Sequence, residues 1–461
     1  MPDNTLGNWI VALFWIECAI FGLGSTAGLF LPLVARAFGL DENRAKDWAM
    51  RLALALAFFG GLIAVGATGG YLATYVGTVS DRNCKIAATV WSGIEIIGSS
   101  AFPRLELTLY VDALSALFGL LIGFFTACVA WYSFGWLDQN ARRHSVAGAF
   151  GLFAFSTLLV VLVNNGFWLL LVLEFMSLSF GYLVLYRGQQ GGSQEESKIA
   201  IRTYLIVSHV STICLAIAIL IIGVGQKSLD FELFRQPKNA LPLLSRDVAF
   251  LFALVGLGMR AGMTPFHFWV PVVHPQSPTT THAFSLGVAI KVAVYLMIRF
   301  FFEFLLPISW WWGVLLLILA GLTAVLNVFY ALLSRDLKRA LAYHSVENIG
   351  IILVGLGLAL LFGSERFGNE VTVQSVAGVA LIASLFHTFN HAIFKGLLYL
   401  GTGCIENRTH TVIMDELGGL IRRYRWTSVL FLVGAIAIAG FPPFNGFISE
   451  WLTLQSFFAG I

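Results

Sequence analysis

The amino-acid sequence predicts an all-α protein that crosses a membrane many times. Of its 461 residues, 58% are hydrophobic and 11% are charged, whereas roughly 25% of the residues in a soluble globular protein are charged. Apolar stretches long enough to span a bilayer recur along the whole chain, which is too often for one cleavable signal peptide. Both observations indicate a polytopic membrane protein.

Hydropathy predicts about twelve membrane-spanning helices. In order, they cover residues 9–35, 47–76, 111–136, 146–163, 165–186, 203–223, 247–270, 283–303, 309–333, 341–362, 373–402 and 427–457. The loops on one side of this arrangement, including 187–202 and 403–426, hold sixteen Lys or Arg residues against eight on the other side. By the positive-inside rule the richer side is cytoplasmic, so the N-terminus is expected outside the cell inner membrane. The loop 224–246 is an exception, with four basic residues on the poorer side.

The sequence predicts no cofactor. Its five cysteines are never closer than 44 positions and form no CxxC motif, whereas iron–sulfur ligation usually needs clustered cysteines. No P-loop occurs, and the glycine-rich stretch GLGMRAG at 256–262 does not match a dinucleotide-binding fingerprint. The sequence therefore argues against an ATPase or a nicotinamide-binding protein.

Ionisable residues lie well inside the apolar spans. Each such charge costs roughly 2.5–3.5 kcal/mol at a bilayer centre, so each needs a reason. A proton or ion path through the protein interior is one interpretation, and structural hydrogen bonds or snorkelling side chains are the alternative. The set comprises Glu17, Glu174, His209, Arg260, Lys291, Glu347, His387, His391, Lys395 and Glu450.

One cluster within this set has regular spacing. His387, His391 and Lys395 follow one another at four-residue intervals, so they are predicted to line one helix face over about 12 Å. Histidine titrates near neutral pH, and such a row can pass protons directly or through water. A metal site is the competing interpretation, but no third and fourth ligands are evident nearby.

Glycine and proline interrupt two spans in similar ways, in GMTPFHFWVP at 262–271 and GFPPFNGFISEW at 440–451. A helix broken in this way is tolerated in lipid only where its backbone is buried in protein or lines a wet cavity. Such breaks at corresponding places in two halves indicate an internal repeat of a transporter.

The offset between the two breaks supports a repeat. Pro265 and Pro442 are 177 positions apart, and His209 and His387 are 178 apart. We therefore expect two units of about five helices each. The counterpart of Lys291 would be position 468, so the second unit is expected to be incomplete at its C-terminal end.

Several motifs together resemble the antiporter-like membrane subunits of respiratory complex I and the Mrp antiporters. They are LVLEFMSLSFGYLV, GMRAGMTPFHFWVPVVHPQSPT, GVAIKVAVYLMIR, RDLKRALAYHSVENIGIILVGLG, FHTFNHAIFKGLLYLG and FPPFNGFISEW, within residues 108–461. The resemblance is closest to the large membrane subunit of formate hydrogenlyase and related group-four membrane hydrogenases. It implies fourteen core helices with two inverted five-helix repeats and two broken helices. Residues 1–140 would hold N-terminal helices, 141–305 the first repeat and 306–461 the second.

The resemblance also implies roles for individual residues in proton transfer. Glu174 resembles a glutamate that pairs with a basic residue, which here is Arg260. Lys291 resembles the eighth-helix lysine at the centre of the proton path, and Lys395 resembles the lysine of helix eleven. The remaining positions of the implied path are His387 and His391 on the connecting axis, Glu450 near its exit, and His209, which resembles a histidine of the hydrogenase branch.

Arg260 departs from the lysine found in most of the family. Arginine stays protonated and cannot itself relay a proton, but it can hold Glu174. It can also act on Lys291 by repulsion of roughly 2–4 kcal/mol at an effective dielectric near 20. The switch then works through movement of a fixed charge, or this subunit has a modified or lost pumping role.

The resemblance implies a proton-translocating subunit of a multisubunit redox-driven complex. Its partners would be other membrane subunits and a peripheral redox arm, and the redox chemistry would belong to those partners. Two alternatives stay open. The first is a cation/proton antiporter subunit, or an ion-driven subunit of a non-redox uptake system, coupled to protons or Na⁺. The second is a structural membrane anchor.

Overall fold

The computed structural model describes nine stretches of the chain: residues 5–38, 41–78, 88–89, 108–136, 143–188, 194–226, 228–236, 241–367 and 371–460. The chain divides into two compact units, one of Met1–Gln190 with Lys227–Leu233 and one of Gly191–Gln226 with Phe234–Ile461. Almost every described residue is helical, which confirms the predicted all-α class. The three-part division of the sequence into an N-terminal region and two repeats stays a prediction.

The first unit holds five long helices and one short β-ribbon. The helices are α1 (Thr5–Ala37), α2 (Glu42–Thr78), α3 (Ala113–Trp136), α4 (Arg143–Leu162) and α5 (Gly166–Gly188), and antiparallel strands β1 (Ala88–Thr89) and β2 (Tyr110–Val111) precede α3. Helices α2 and α3 pack closely, because a Cβ on Gly61 would meet the Gly123 carbonyl oxygen at 2.6 Å. Small residues permit such close approach of membrane helices.

The remaining helices belong to the second unit, except that the short α7 lies mostly in the first unit and ends at the first residue of the second. They are α6 (Gln194–Gln226), α7 (Phe231–Phe234), α8 (Leu243–Ala261), α9 (Val270–Val273), α10 (Thr279–Phe284), α11 (Lys291–Arg299), α12 (Trp310–Leu333), α13 (Leu337–Phe362), α14 (Val371–Thr409), α15 (Leu420–Arg423), α16 (Arg425–Ile438) and α17 (Asn445–Ala459). Five-residue π-helical segments, Ser285–Ala289 and Phe300–Phe304, flank α11 on both sides.

Eleven helical segments of the described chain are long and apolar enough to cross a membrane. They correspond to the first eleven predicted stretches. The twelfth, 427–457, is divided between α16 and α17, as the prolines and glycines within it predicted. The protein is therefore a polytopic membrane protein.

Both predicted breaks occur, and they are alike. Pro265 lies four residues past the end of α8 at Ala261, and Pro442 lies four residues past the end of α16 at Ile438. A glycine in the left-handed conformation precedes each proline, Gly262 with φ 70° and Gly440 with φ 62°. These positions agree with the 177-residue offset.

Side chains of α12 form hydrogen bonds with polar groups at the first break. The Thr264 N–H donates to the Thr323 hydroxyl at 3.0 Å, and the Asn327 amide donates to the Thr264 hydroxyl at 3.4 Å. The Trp269 indole N–H donates to the Met259 carbonyl, also across the break. Protein groups thus replace the water that a broken helix would otherwise need.

Candidate functional site

Lys291 is fully buried and begins α11, directly after a π-helical turn. In that turn the Ile290 N–H donates to the Ser285 carbonyl, five residues back, at 3.0 Å. The Lys291 ammonium donates to the carbonyl of Leu286, the next residue of the same turn. The local helix geometry thus supplies an acceptor for a charge that apolar surroundings would not accommodate.

α14 carries three buried ionisable residues on one face. His387, His391 and Lys395 each have 0% of their surface exposed. The two imidazole rings are nearly parallel, with centroids 6.3 Å apart and an interplanar angle of 2°. The row predicted from the spacing therefore lies inside the second unit, and electrostatic interactions connect Lys291 to all three of these side chains.

The two histidines differ in their partners. His387 Nδ1 lies 2.9 Å from the Ser449 hydroxyl, and its Nε2 lies 3.2 Å from the Asn348 side-chain oxygen. Neither ring nitrogen of His391 has a hydrogen-bond partner among the described residues. His387 is thus held in place between α13 and α17, whereas His391 has two nitrogens available for a further group or water.

The Lys395 ammonium is anchored on α13. It donates to the Leu341 carbonyl at 2.9 Å, and the Tyr399 hydroxyl donates to the same oxygen at 2.8 Å. The Lys395 nitrogen also lies 5.7 Å from the centre of the Tyr399 ring, within cation–π range. The Ser345 hydroxyl, 2.7 Å from that of Tyr399, completes the cluster.

Glu347 provides the negative charge near this row. It interacts electrostatically with Lys395 and with Glu450. One of its oxygens lies 2.6 Å from His344 Nδ1 one helical turn earlier. Glu347 belonged to the set of intramembrane ionisable residues, but the family resemblance did not assign it a role.

Glu450 lies at the second break, next to Gly440. A Cβ on Gly440 would meet the Glu450 Oε2 atom at 2.5 Å, so the carboxylate would have to move to admit another side chain, and the φ of 62° itself disfavours one. The Asn390 amide of α14 donates to the Asn445 carbonyl at 2.9 Å, and the Asn445 amide donates back to Asn390 at 3.1 Å. This reciprocal pair fixes the start of α17, and with it Glu450, against the histidine helix.

Two further buried histidines are connected to the Lys395 cluster through the Tyr399 ring, and the sequence interpretation missed both. His274 and His282 are 0% and 1% exposed, and their ring centroids are 5.3 Å apart. The His282 ring packs on the ring of Tyr399 at 4.2 Å. A line of aromatic and imidazole rings therefore leads from the first break to the Lys395 cluster.

A buried ion pair is linked to the helix that carries His282. The Lys338 ammonium is 2.6 Å from a Glu406 carboxylate oxygen, and the two side chains are 1% and 23% exposed. The Thr279 hydroxyl donates to the same carboxylate at 3.1 Å. The pair thus connects the start of α13, the end of α14 and the helix that carries His282.

Their positions in the sequence explain why these residues were missed. Lys338 lies in the first turn of α13 and Glu406 in the last turn of α14, and charges at span ends normally reach the aqueous interface. His274 lies in the irregular segment after the first break, outside the predicted spans. The run HPQSPTTTH, with two histidines eight positions apart after a proline break, was the available signal.

The residues predicted for the first half of the path are more dispersed. Glu174 is half-buried on α5 in the first unit, whereas Arg260 lies in the second unit and donates to the Thr212 hydroxyl at 2.7 Å. Their pairing stays a prediction. The side chain of His209 is exposed on α6, apart from the buried row. Glu17 lies outside the side chains that the structure describes.

The described part of the chain offers no evident ligand set for a metal ion. No group of three or more His, Cys, Asp or Glu side chains converges there. The rings of His387 and His391 stack parallel to one another, which is not how two imidazoles converge on one ion. The chemistry that this arrangement offers is the holding and passing of protons between buried bases.

Comparison with known proteins gives matches over most of the chain. The family described as "NADH:quinone oxidoreductase/Mrp antiporter, TM" matches residues 164–460. Hydrogenase-4 component B of Escherichia coli (strain K12) is 37% identical over 377 residues, which are 80% of this chain and 54% of that protein. Formate hydrogenlyase subunit 3 of the same organism is 30% identical over 399 residues, 85% of this chain and 61% of that protein.

A solved structure has the same fold. The membrane-bound sulfane sulfur reductase, described as an archaeal respiratory membrane complex, contains a chain that superposes with a TM-score of 0.74 at 21% identity, covering 96% of this chain and 81% of that one. At this identity the likeness concerns the fold alone. The present chain spans between one half and two thirds of the length of the two curated relatives.

Proposed function

The chain belongs to the NADH:quinone oxidoreductase/Mrp antiporter family, and on that premise we propose that it carries protons across the membrane along the buried row of its second unit. The observation that supports this most is the row itself. Two fully buried lysines and two fully buried histidines occur in one interior, coupled electrostatically. Ionisable residues are costly to bury in a membrane protein, and where they occur they mark ion or proton paths.

The geometry suggests a direction along the row. If the loops rich in Lys and Arg are cytoplasmic and the N-terminus lies outside, the Lys338–Glu406 pair is at the cytoplasmic end. Protons would pass from there by His282 and Tyr399 to Lys395, because the two rings are in contact and Tyr399 shares an acceptor with Lys395. From Lys395 the path would continue through His391 and His387 to Ser449 and Glu450.

In this proposal Lys291 regulates the row. Its ammonium repels positive charge on Lys395 and on both histidines, so movement of its proton changes how readily they take up theirs. Arg260 would act on Lys291 as a fixed charge held or released by Glu174, since a guanidinium does not give up its proton.

We also propose that the protein works as a non-redox subunit of a larger redox-driven complex. The two relatives are named as parts of a hydrogenase and of formate hydrogenlyase. Redox centres would reside in partner subunits of a peripheral arm, and the energy of their reaction would reach this chain as shifts of charge and conformation. Mass spectrometry of the complex purified through a tag on this chain tests the assignment. A nickel–iron hydrogenase-type large subunit is expected, and recovery of antiporter-type membrane subunits alone would contradict it.

Proton uptake into vesicles that contain the purified complex tests the transport role. Lys291→Met and Lys395→Met should abolish coupled uptake while the complex still assembles. Lys198→Met is the matched control, since Lys198 is an exposed residue paired with Glu195 and should transport normally. Unchanged uptake in both buried-lysine variants would refute the proton path, and uptake that requires Na⁺ would favour a cation/proton antiporter subunit.

A further inference from the structure

A cavity of about 430 Å³ lies in the second unit, away from the buried row. Its walls come from the starts of α8 and α12 and from the residues that follow α13. All three helices belong to candidate membrane spans. The cavity therefore lies where spans end, at the level of lipid headgroups.

Arg246 forms the inner wall of this cavity. Its side chain is only 7% exposed, and its guanidinium lies 5.7 Å from the centre of the Trp312 ring. One terminal nitrogen donates to the Ser309 hydroxyl at 3.3 Å, but Nε has no hydrogen-bond partner in the part of the chain that the structure describes. Arg246 therefore keeps unused donor capacity on the wall of the cavity, as a buried guanidinium rarely does.

The surroundings of Arg246 favour an anionic group. Arg366, at the rim, stacks its guanidinium on the Trp310 ring at 4.4 Å. Two long helices also begin here, and neither has a side-chain cap: the residue before α8 is Pro242, and Ser309 makes no capping hydrogen bond to α12. Uncapped helix N-termini add partial positive charge and free N–H groups.

Two carboxylates balance these charges in different ways. Asp247 accepts hydrogen bonds from the Trp312 indole N–H at 3.0 Å and from the Ser309 hydroxyl at 3.4 Å. Its carboxylate is therefore held by neighbouring side chains of the cavity wall. Glu365 is exposed at the rim beside Arg366. The cavity lining thus carries two arginines and two carboxylates, with Glu365 at its mouth, which matches an occupant that has both a phosphate and a nearby cation.

The same residues account for an irregularity in the sequence. The loop 224–246 carries four basic residues on the side expected to be poor in them. Of the two that the structure describes, Arg235 is paired with Glu303 at 2.9 Å, and Arg246 faces the cavity. An ion pair and a place on the cavity wall thus account for two of the four positive charges.

We propose that this cavity binds the headgroup of a zwitterionic phospholipid of the phosphatidylethanolamine type. The phosphate is held by Arg246 and Arg366, and the ammonium by Glu365. Trp310 and Trp311 line the cavity beside these groups, as expected of aromatic residues at the headgroup level of a membrane. The acyl chains then run along the apolar sides of the helices.

Native mass spectrometry of the delipidated full complex tests this site directly. The complex is incubated with phosphatidylethanolamine, with phosphatidylglycerol, and with two soluble probes, inorganic phosphate and phosphoethanolamine. We expect Arg246→Gln to weaken retention of phosphatidylethanolamine by about tenfold or more, since a charge-assisted contact is lost. Arg366→Gln, an exposed change that leaves the interior intact, should weaken it in the same direction, and Glu365→Gln should reduce the preference over phosphatidylglycerol.

Arg422→Gln is the control, because Arg422 is an exposed arginine remote in sequence from the cavity and does not line it. It should retain lipid as the unmodified protein does. Equal retention by the unmodified protein and by both cavity arginine variants would overturn the proposal. Soluble phosphate binding as tightly as the lipid would also overturn it and indicate a free-phosphate site. None of these outcomes depends on proton transport.

Discussion

Replacing Glu406 with Gln removes the carboxylate that faces the Lys338 ammonium at 2.6 Å. Breaking a buried ion pair in this way costs roughly 3–5 kcal/mol, because a charge stays buried without compensation. The Lys338 side chain is 1% exposed, so its ammonium has little access to water, but the 23% exposure of Glu406 weakens the original interaction. We therefore expect Glu406→Gln to destabilise the protein by about 2–3 kcal/mol, below the full range for buried pairs.

The reverse change should cost less. Lys338→Met leaves a carboxylate that still reaches water and still accepts from Thr279. Its expected cost is about 1–2 kcal/mol, below the range for breaking a buried pair, because the remaining carboxylate is partly exposed to water. The double variant removes both charges and should be no less stable than Glu406→Gln alone.

Thermal and denaturant unfolding of the purified complex in mild detergent measures this asymmetry. The exposed pair of Lys198 and Glu195 provides the control, and its variants should change stability by less than about 1 kcal/mol. Proton uptake by the same preparations should fall for both pair variants, including the double one. Equal destabilisation by the two single changes, or additive effects in the double variant, would refute the reasoning.

Two further changes test other contacts of the site. Gly440→Ala should lower stability by at least about 1–2 kcal/mol, because it forces a side chain into the left-handed region of backbone conformation. The added Cβ would also displace the Glu450 carboxylate, which lies 2.5 Å from it. Thermal unfolding measures the loss, and Gly418→Ala, where the space is open, should show none. Tyr399→Phe removes one donor to the Leu341 carbonyl and should cost about 1 kcal/mol of stability. Its effect on proton uptake should exceed what that loss explains, and normal uptake would remove Tyr399 from the path.

The sequence predicted the fold well because membrane helices obey a few strong constraints. Backbone groups in lipid must be satisfied within the span, so apolar runs of sufficient length are helices. Proline and glycine likewise located both breaks, since Gly262 and Gly440 adopt conformations that other residues disfavour. The buried row on α14 followed from its four-residue spacing.

The parts that were missed depend on how separate helices meet. Lys338 and Glu406 are 68 positions apart and look like ordinary span ends until α13 and α14 are placed side by side. His282 gains significance only through the Tyr399 ring on another helix. The π-helical turn before Lys291 also has no recognisable sequence pattern, although it decides which carbonyl the lysine contacts.

The anchoring of both buried lysines has a genetic consequence. Lys291 donates to the Leu286 carbonyl and Lys395 to the Leu341 carbonyl, so each acceptor is a main-chain atom. Alanine scanning cannot delete such an atom, and a screen would therefore record positions 286 and 341 as ordinary apolar sites. For the same reason, related chains are free to exchange one aliphatic residue for another there while keeping both lysines in place.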